Sequence, residues 1–217
     1  MPDIFDEVDE DLRADRARKM LQRYGGLLVF AAVLVVAGAG GWQAWKSHEA
    51  KQTAKVAQEF LTALDSAAGP PGDGRTAAAL ELANVARDGN AGYRTLARLR
   101  DAALQADSGE TAGAEALWMQ VANDTSADPL LRDVAVLQSV LHQIDNGDPA
   151  TLDARLKPLA APDNPWHALA EEAQAMIDLR QGHNDAARDT LKRLAQDVTA
   201  PDGVRGRANG LLARLGE

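Results

Sequence analysis

Residues 182–194 read Gly-His-Asn-Asp-Ala-Ala-Arg-Asp-Thr-Leu-Lys-Arg-Leu, and the spacing of glycine and apolar residues in this stretch returns three times upstream. The glycines Gly74, Gly109, Gly147 and Gly182 are 35, 38 and 35 residues apart. A small or apolar residue follows each glycine after five, nine and twelve residues. These residues are Ala79, Ala83 and Ala86; Ala114, Trp118 and Val121; Leu152, Leu156 and Leu159; and Ala187, Leu191 and Leu194. Such positions share one helical face, so the pattern predicts a helix with one buried face after each glycine. We expect φ > 0 at each glycine, which ends the helix before it.

The helices before these turns also repeat. Five residues match five others at an offset of 73 residues, which is two repeats. They are Tyr93, Leu96, Ala97, Ala102 and Leu104, matched with Trp166, Leu169, Ala170, Ala175 and Ile177. Glycine, proline, asparagine and aspartate cluster between the periodic segments and mark their ends. The pattern predicts helices over residues 46–68, 130–144 and 204–215.

A helix-turn-helix unit of about 35 residues resembles the tetratricopeptide repeat. The resemblance implies an all-α fold in which about four helical hairpins stack into a solenoid. Residues 46–68 serve as the first helix of the first hairpin. Residues 204–215 suit a cap, since a terminal repeat needs a polar outer face.

Residues 25–45 carry no charge and are long enough to cross a bilayer as a helix. Tyr24 stands at one end and Trp42 and Trp45 at the other, where amphipathic rings favour the headgroup level. Five Lys and Arg residues precede the span within residues 13–23, and Lys46, Lys51 and Lys55 follow it. This bias predicts a cytoplasmic N-terminus. A cleaved signal peptide ending near residues 37–39 is the alternative, although the acidic start of the chain disfavours it.

Ala37, Gly38 and Gly41 place small residues on the predicted span. Such residues let helices pack closely in lipid, and they are also common in membrane helices. This face therefore either docks against another membrane helix or merely reflects the usual composition of membrane helices.

The N-terminal tail combines acidic residues with Ile4, Phe5, Val8 and Leu12 at helical spacing. An acidic amphipathic segment could dock on a basic patch of a cytoplasmic partner. A solvated, disordered tail is the alternative.

The rest of the composition excludes several classes of function. The chain has no cysteine and a net charge of −9, which disfavours thiol chemistry and nucleic acid as a partner. The four histidines form no ligand pair, and no phosphate loop or nucleophile motif occurs. We expect no catalytic residue, cofactor, metal site or small-molecule substrate. Stacked hairpins instead build a surface for peptides or partner domains, and Tyr93, Trp118 and Trp166 are its candidate anchors unless they fill the core.

Residues 41–48, Gly-Trp-Gln-Ala-Trp-Lys-Ser-His, resemble the membrane exit of the YfgM-like proteins, and the resemblance covers the whole chain. That family comprises ancillary subunits of the SecYEG translocon with a tetratricopeptide-like domain. The resemblance implies a cytoplasmic N-terminus and a periplasmic domain. It also implies association with the translocon and with a membrane-anchored periplasmic isomerase-like chaperone, with no catalytic residues.

Together these patterns predict three segments: a cytoplasmic tail over residues 1–24, a transmembrane helix over 25–45 and a periplasmic repeat domain over 46–217. The predicted function is a non-enzymatic adaptor at the inner membrane that assists the Sec translocon and binds client polypeptides. The alternative is an accessory or assembly subunit of another inner-membrane complex, such as a respiratory one, held through the span and the tail.

Overall fold

The computed structural model describes residues 4–69 and 73–216, apart from the side chains of residues 4–22, 28, 32 and 73. Most described residues are helical, turns and loops connect the helices, and no strand occurs among the described residues. Their helices are α1 (Ile4–Ala67), α2 (Asp73–Asp88), α3 (Ala91–Asp107), α4 (Thr111–Asn123), α5 (Pro129–Gln143), α6 (Pro149–Leu156), α7 (His167–Gln181), α8 (Asn184–Gln196) and α9 (Asp202–Arg214). The predicted all-α fold is confirmed, and the predicted helices over 46–68, 130–144 and 204–215 correspond to parts of α1, to α5 and to α9.

The chain divides into two units after Ala54. The first unit is the N-terminal part of α1, in which Val33, Val36 and the other described large apolar side chains are exposed. Among the described residues, one helical stretch, Arg23–Ala67, is long and apolar enough to cross a membrane by length and composition.

The second unit is a row of helical hairpins. Each helix from α2 onward packs on the next one, and α3, α5, α7 and α9 also contact one another in succession. The C-terminal part of α1 packs on α2 through Val56, Ala63 and Ala67. Odd-numbered helices therefore form one layer and even-numbered helices the other, in four hairpins followed by α9.

The predicted core face is confirmed in three of the four hairpins. In α4 the buried residues are Ala114, Trp118 and Val121, and in α8 they are Ala187, Leu191 and Leu194. Leu152, Leu156 and Leu159 are also buried, in α6 and just after it. These side chains are at most 3% exposed and fill the space between neighbouring odd-numbered helices.

The prediction for the first hairpin is wrong by one residue. Ala78, Leu82 and Val85 are fully buried in α2, whereas Ala79 and Ala86 are only partly buried and Ala83 is exposed. The reason is that Gly74 lies in the first turn of α2 and not between the two helices. Asp73, which begins α2, therefore occupies the position that glycine holds in the other hairpins.

Two of the four glycines adopt the expected backbone conformation. Gly109 and Gly182 have φ of 81° and 79° and follow the ends of α3 and α7. His183 N–H donates to the Asp178 carbonyl and Gly182 N–H to the Leu179 carbonyl, which satisfies the last carbonyls of α7. The expectation of positive φ is wrong for Gly74 and Gly147. At Gly147 a Cβ atom would lie 2.9 Å from the Gln143 carbonyl oxygen, so close approach explains this glycine.

The loops after α4 and α8 also repeat. Ser126 donates through its N–H and Oγ to Asp124 Oδ1, at 3.0 and 2.6 Å. Thr199 does the same to Asp197 Oδ1, at 2.8 and 2.6 Å, and the two turns are 73 residues apart. These hydrogen bonds, the hydroxyl first, hold the pKa of Asp124 and of Asp197 below the usual range. The similarity between segments 73 residues apart, which is two repeats, thus includes the turns as well as the helices.

Substitution of alanine for glycine is expected to have opposite effects at two positions. Gly182→Ala should destabilise the repeat domain by about 1–2 kcal/mol, because a Cβ atom disfavours the left-handed conformation. Gly206→Ala, on the exposed face of α9 with no atom near the added Cβ, should stabilise it by about 0.5–1 kcal/mol. Urea denaturation of the full chain in mild detergent, followed by circular dichroism, measures both. Equal effects of the two substitutions would contradict the assigned turn.

Candidate functional site

The layer of odd-numbered helices carries an apolar groove. Leu141 of α5, Leu169 and Met176 of α7, and Gly210 and Leu211 of α9 line a cavity of about 640 Å³. The four large side chains are half-buried, because their inner sides pack on the core beneath them. The core therefore fixes the position of these four side chains, while their outer sides form an accessible floor of the groove.

The groove follows the repeat itself. Leu141, Met176 and Leu211 are each 35 residues apart and occupy equivalent positions on three successive odd-numbered helices. The residues predicted as anchors from the sequence are rare aromatic ones, and this aliphatic row is not among them. The signal was present, since an aliphatic residue recurs at the repeat period on the helix face next to the core face.

One ion pair joins two helices beside the groove. Arg207 of α9 donates from Nε to Glu172 Oε1 and from Nη2 to Glu172 Oε2, both at 2.6 Å. Glu172 of α7 is only 5% exposed, so its charge needs this partner. The hydrogen bond from Arg207 to Glu172 raises the pKa of the Arg207 guanidinium. This bidentate contact fixes α9 against α7 at the edge of the groove.

The three predicted aromatic anchors do not line the groove and do not come together. Trp118 is 2% exposed, and its ring centroid lies 4.6 Å from that of His142. Tyr93 is half-buried edge-on to Phe60, with ring centroids 6.0 Å apart. Trp166, also half-buried, packs on the core between α5 and α7. Trp118 is thus a core side chain, because an alanine-rich interior needs a few large residues to fill it.

The other predicted site residues lie in α1. Tyr24, Trp42 and Trp45 are 50%, 71% and 71% exposed. Ala37, Gly38 and Gly41 are exposed, and a Cβ atom built at either glycine meets no atom within 4 Å. Ile4, Phe5, Val8 and Leu12 belong to α1, but their side chains lie outside the described part of the structure. The roles of all three groups stay predictions.

A partly buried polar network joins the second and third hairpins. Glu115 of α4 accepts hydrogen bonds from Ser139 Oγ and Gln143 Nε2 of α5, each at 2.6 Å. Arg155 of α6 donates from Nη1 to Glu115 Oε1 at 2.9 Å. Ser139 is fully buried and donates to a carboxylate, which gives it a packing role and no access to a substrate.

The ion pair beside the groove gives a testable prediction. Arg207→Ala should destabilise the domain by about 1.5–3 kcal/mol, because it removes a charged hydrogen-bond donor from buried Glu172. Adding Glu172→Gln should recover part of this loss, since no buried charge is then left unpaired. Urea denaturation of the wild type, both single variants and the double variant gives the coupling energy. Additive effects would contradict a direct interaction.

Comparison with known proteins gives one match. The model of the tetratricopeptide repeat-like domain matches residues 18–205. No curated protein and no solved structure matches the chain. The matched region covers most of the chain and contains every hairpin described above. The chain therefore belongs to the tetratricopeptide repeat-like domain family.

Proposed function

We propose that the protein is a non-enzymatic, membrane-anchored adaptor whose repeat domain binds a polypeptide partner in the groove of α5, α7 and α9. Domains of this family are scaffolds for protein–protein interaction. The observation that carries the proposal is the apolar row formed by Leu141, Met176 and Leu211.

The dimensions of this row suit a polypeptide. Packed helices have axes about 8–10 Å apart, so a row across three helices spans about 20 Å. An extended chain covers that distance with about six residues, since each spans at most about 3.3–3.6 Å. Apolar side chains of such a segment would bury the aliphatic floor, and burial contributes about 25 cal/mol per Å².

We further propose the segment boundaries 1–24, 25–45 and 46–217, with the N-terminus in the cytoplasm and the repeat domain in the periplasm. The exposed apolar surface of α1 supports an anchor, because water would not tolerate so long a stretch without a covering environment. The basic residues before the span support the orientation. Tyr24, Trp42 and Trp45 would then lie at the two headgroup levels.

The proposed partners at the inner membrane are Sec translocon subunits and a periplasmic isomerase-like chaperone, with client polypeptides in the groove. Support comes from the resemblance of residues 41–48 to the membrane exit of the YfgM-like proteins. Ala37, Gly38 and Gly41 would pack on a partner helix in the bilayer, and the tail would dock on the cytoplasmic side. An accessory role in another inner-membrane complex, such as a respiratory one, is the second candidate, supported by the same exposed small-residue face.

Affinity purification tests the groove and the partner together. The tagged full chain, extracted in mild detergent, should retain translocon and chaperone subunits identified by mass spectrometry. Leu141→Glu with Leu211→Glu should lose the partner of the repeat domain, because two buried carboxylates would occupy the apolar floor. Leu130→Glu is the matched control, since Leu130 also lies on α5, is 47% exposed and does not line the groove.

The span is tested in the same purification. Gly38→Leu with Gly41→Leu should reduce recovery of the membrane-embedded partner and leave the partner of the repeat domain bound. Stoichiometric recovery of respiratory subunits would replace the translocon proposal by the second candidate. If neither pair of variants changes the recovered proteins, the adaptor proposal is wrong.

The orientation has its own test. Protease added to spheroplasts should digest the repeat domain and leave a short N-terminal fragment that carries the span and tail. The intact protein should retain an N-terminal tag, because we propose an anchor and not a cleaved signal peptide. Protection of the domain would reverse the orientation, and loss of the tag would show cleavage.

A further inference from the structure

The groove contains one cation without a partner among the described residues. Glu172 is the sole acidic residue among its described lining residues, and Arg207 occupies both carboxylate oxygens of Glu172. Arg214 also lines the groove, is exposed, and has no ion pair or hydrogen bond within the described part of the chain. The charged side chains that line the groove, Glu172, Arg207 and Arg214, therefore sum to one positive charge. The whole chain has a net charge of −9.

The position of this cation is set by α9. Arg207, Leu211 and Arg214 follow helical spacing of i, i+4 and i+7, so they share one face of α9. Leu211 thus lies between Arg207, which is paired with Glu172, and Arg214, which has no partner within the described part of the chain. The helix dipole places about half a negative charge at the end of α9, which offsets Arg214 only in part.

We propose that the occupant of the groove is an apolar polypeptide segment that carries an acidic side chain, with its carboxylate placed against Arg214. This inference rests on the proposed function and names the chemistry of the partner segment. Apolar side chains of the segment cover Leu141, Met176 and Leu211. The acidic residue neighbours the apolar residue that rests on Leu211, because Arg214 lies about one turn from Leu211 on the same face of α9. A lysine at the same place meets the Arg214 guanidinium and is disfavoured by like charge.

Three synthetic peptides test this chemistry. They are fluorescein-labelled, amphipathic and about twelve residues long, and they differ only at one position, which is Glu, Gln or Lys. Binding to the full chain in mild detergent is measured by fluorescence anisotropy at about 0.15 M salt, where distant charges are screened. The Glu peptide should bind about 1.5- to 5-fold more tightly than the Gln peptide, as an exposed ion pair provides. The Lys peptide should bind most weakly.

Variants assign the preference to one residue. Arg214→Gln should make the affinities for the Glu and Gln peptides equal, while Leu211→Ala should weaken all three peptides. Lys55→Gln is the matched control, since this exposed cation of α1 lies outside the groove and should leave the preference unchanged. Arg214 is exposed near the end of a helix, so its variant should fold, and circular dichroism checks this.

Several outcomes would overturn the inference. They are equal affinity for the three peptides, a preference that persists in Arg214→Gln, and no binding of any peptide. The adaptor proposal is tested separately by the affinity purification. If the variant with Leu141→Glu and Leu211→Glu loses the native partner there, the adaptor proposal stands even when the peptide experiment fails.

Discussion

Each even-numbered helix buries one narrow face between two odd-numbered helices, and every other feature of the repeat domain depends on this packing. A single hairpin cannot cover its own apolar face, so each one is stabilised by its neighbours. Alanine at positions such as Ala114, Ala135 and Ala187 lets the helices approach closely, and these residues are fully buried. Polar contacts also join neighbouring hairpins. Arg180 of α7 donates to the carbonyls of Ile144 and Gly147, each at 2.6 Å, and so satisfies the end of α5 from the next hairpin.

The groove is a consequence of the same period. Equivalent helices in successive repeats turn the same face to the core. Their adjacent faces therefore also point in one direction, toward the outside of the domain. Leu141, Met176 and Leu211 are thus brought into line by packing that serves stability, and no loop or strain is needed to build the site. The ion pair between Glu172 and Arg207 fixes α9 against α7 at the edge of the groove. If α9 detached from α7, one wall of the groove would be lost, so stability and binding share this contact.

The period was readable from sequence because close packing requires small or apolar residues at fixed helical positions. The register of the first hairpin was not readable, since Gly74 follows a Gly-Pro-Pro-Gly stretch and glycine there does not mark the turn. Positive φ was expected at Gly147, where the real constraint is a nearby carbonyl oxygen that only the folded backbone brings close. Trp118 shows a third limit. Size and rarity make an aromatic residue a good anchor and an equally good core filler, and only the neighbouring helices decide between them.

The proposed membrane anchor would change what the groove must achieve. Two proteins tethered to one membrane meet at an effective concentration far above that in free solution, as linked binding modules do. A groove with a half-buried aliphatic floor and one open arginine then suffices, because modest affinity becomes nearly complete occupancy. Tight binding would be a disadvantage for the proposed client polypeptides, because differences in affinity lie mostly in the dissociation rate and a tightly bound client would leave slowly. The shallow floor, the one lining cation without a partner among the described residues and the exposed apolar stretch of α1 fit this proposal, in which the membrane would provide proximity and the repeat domain selection.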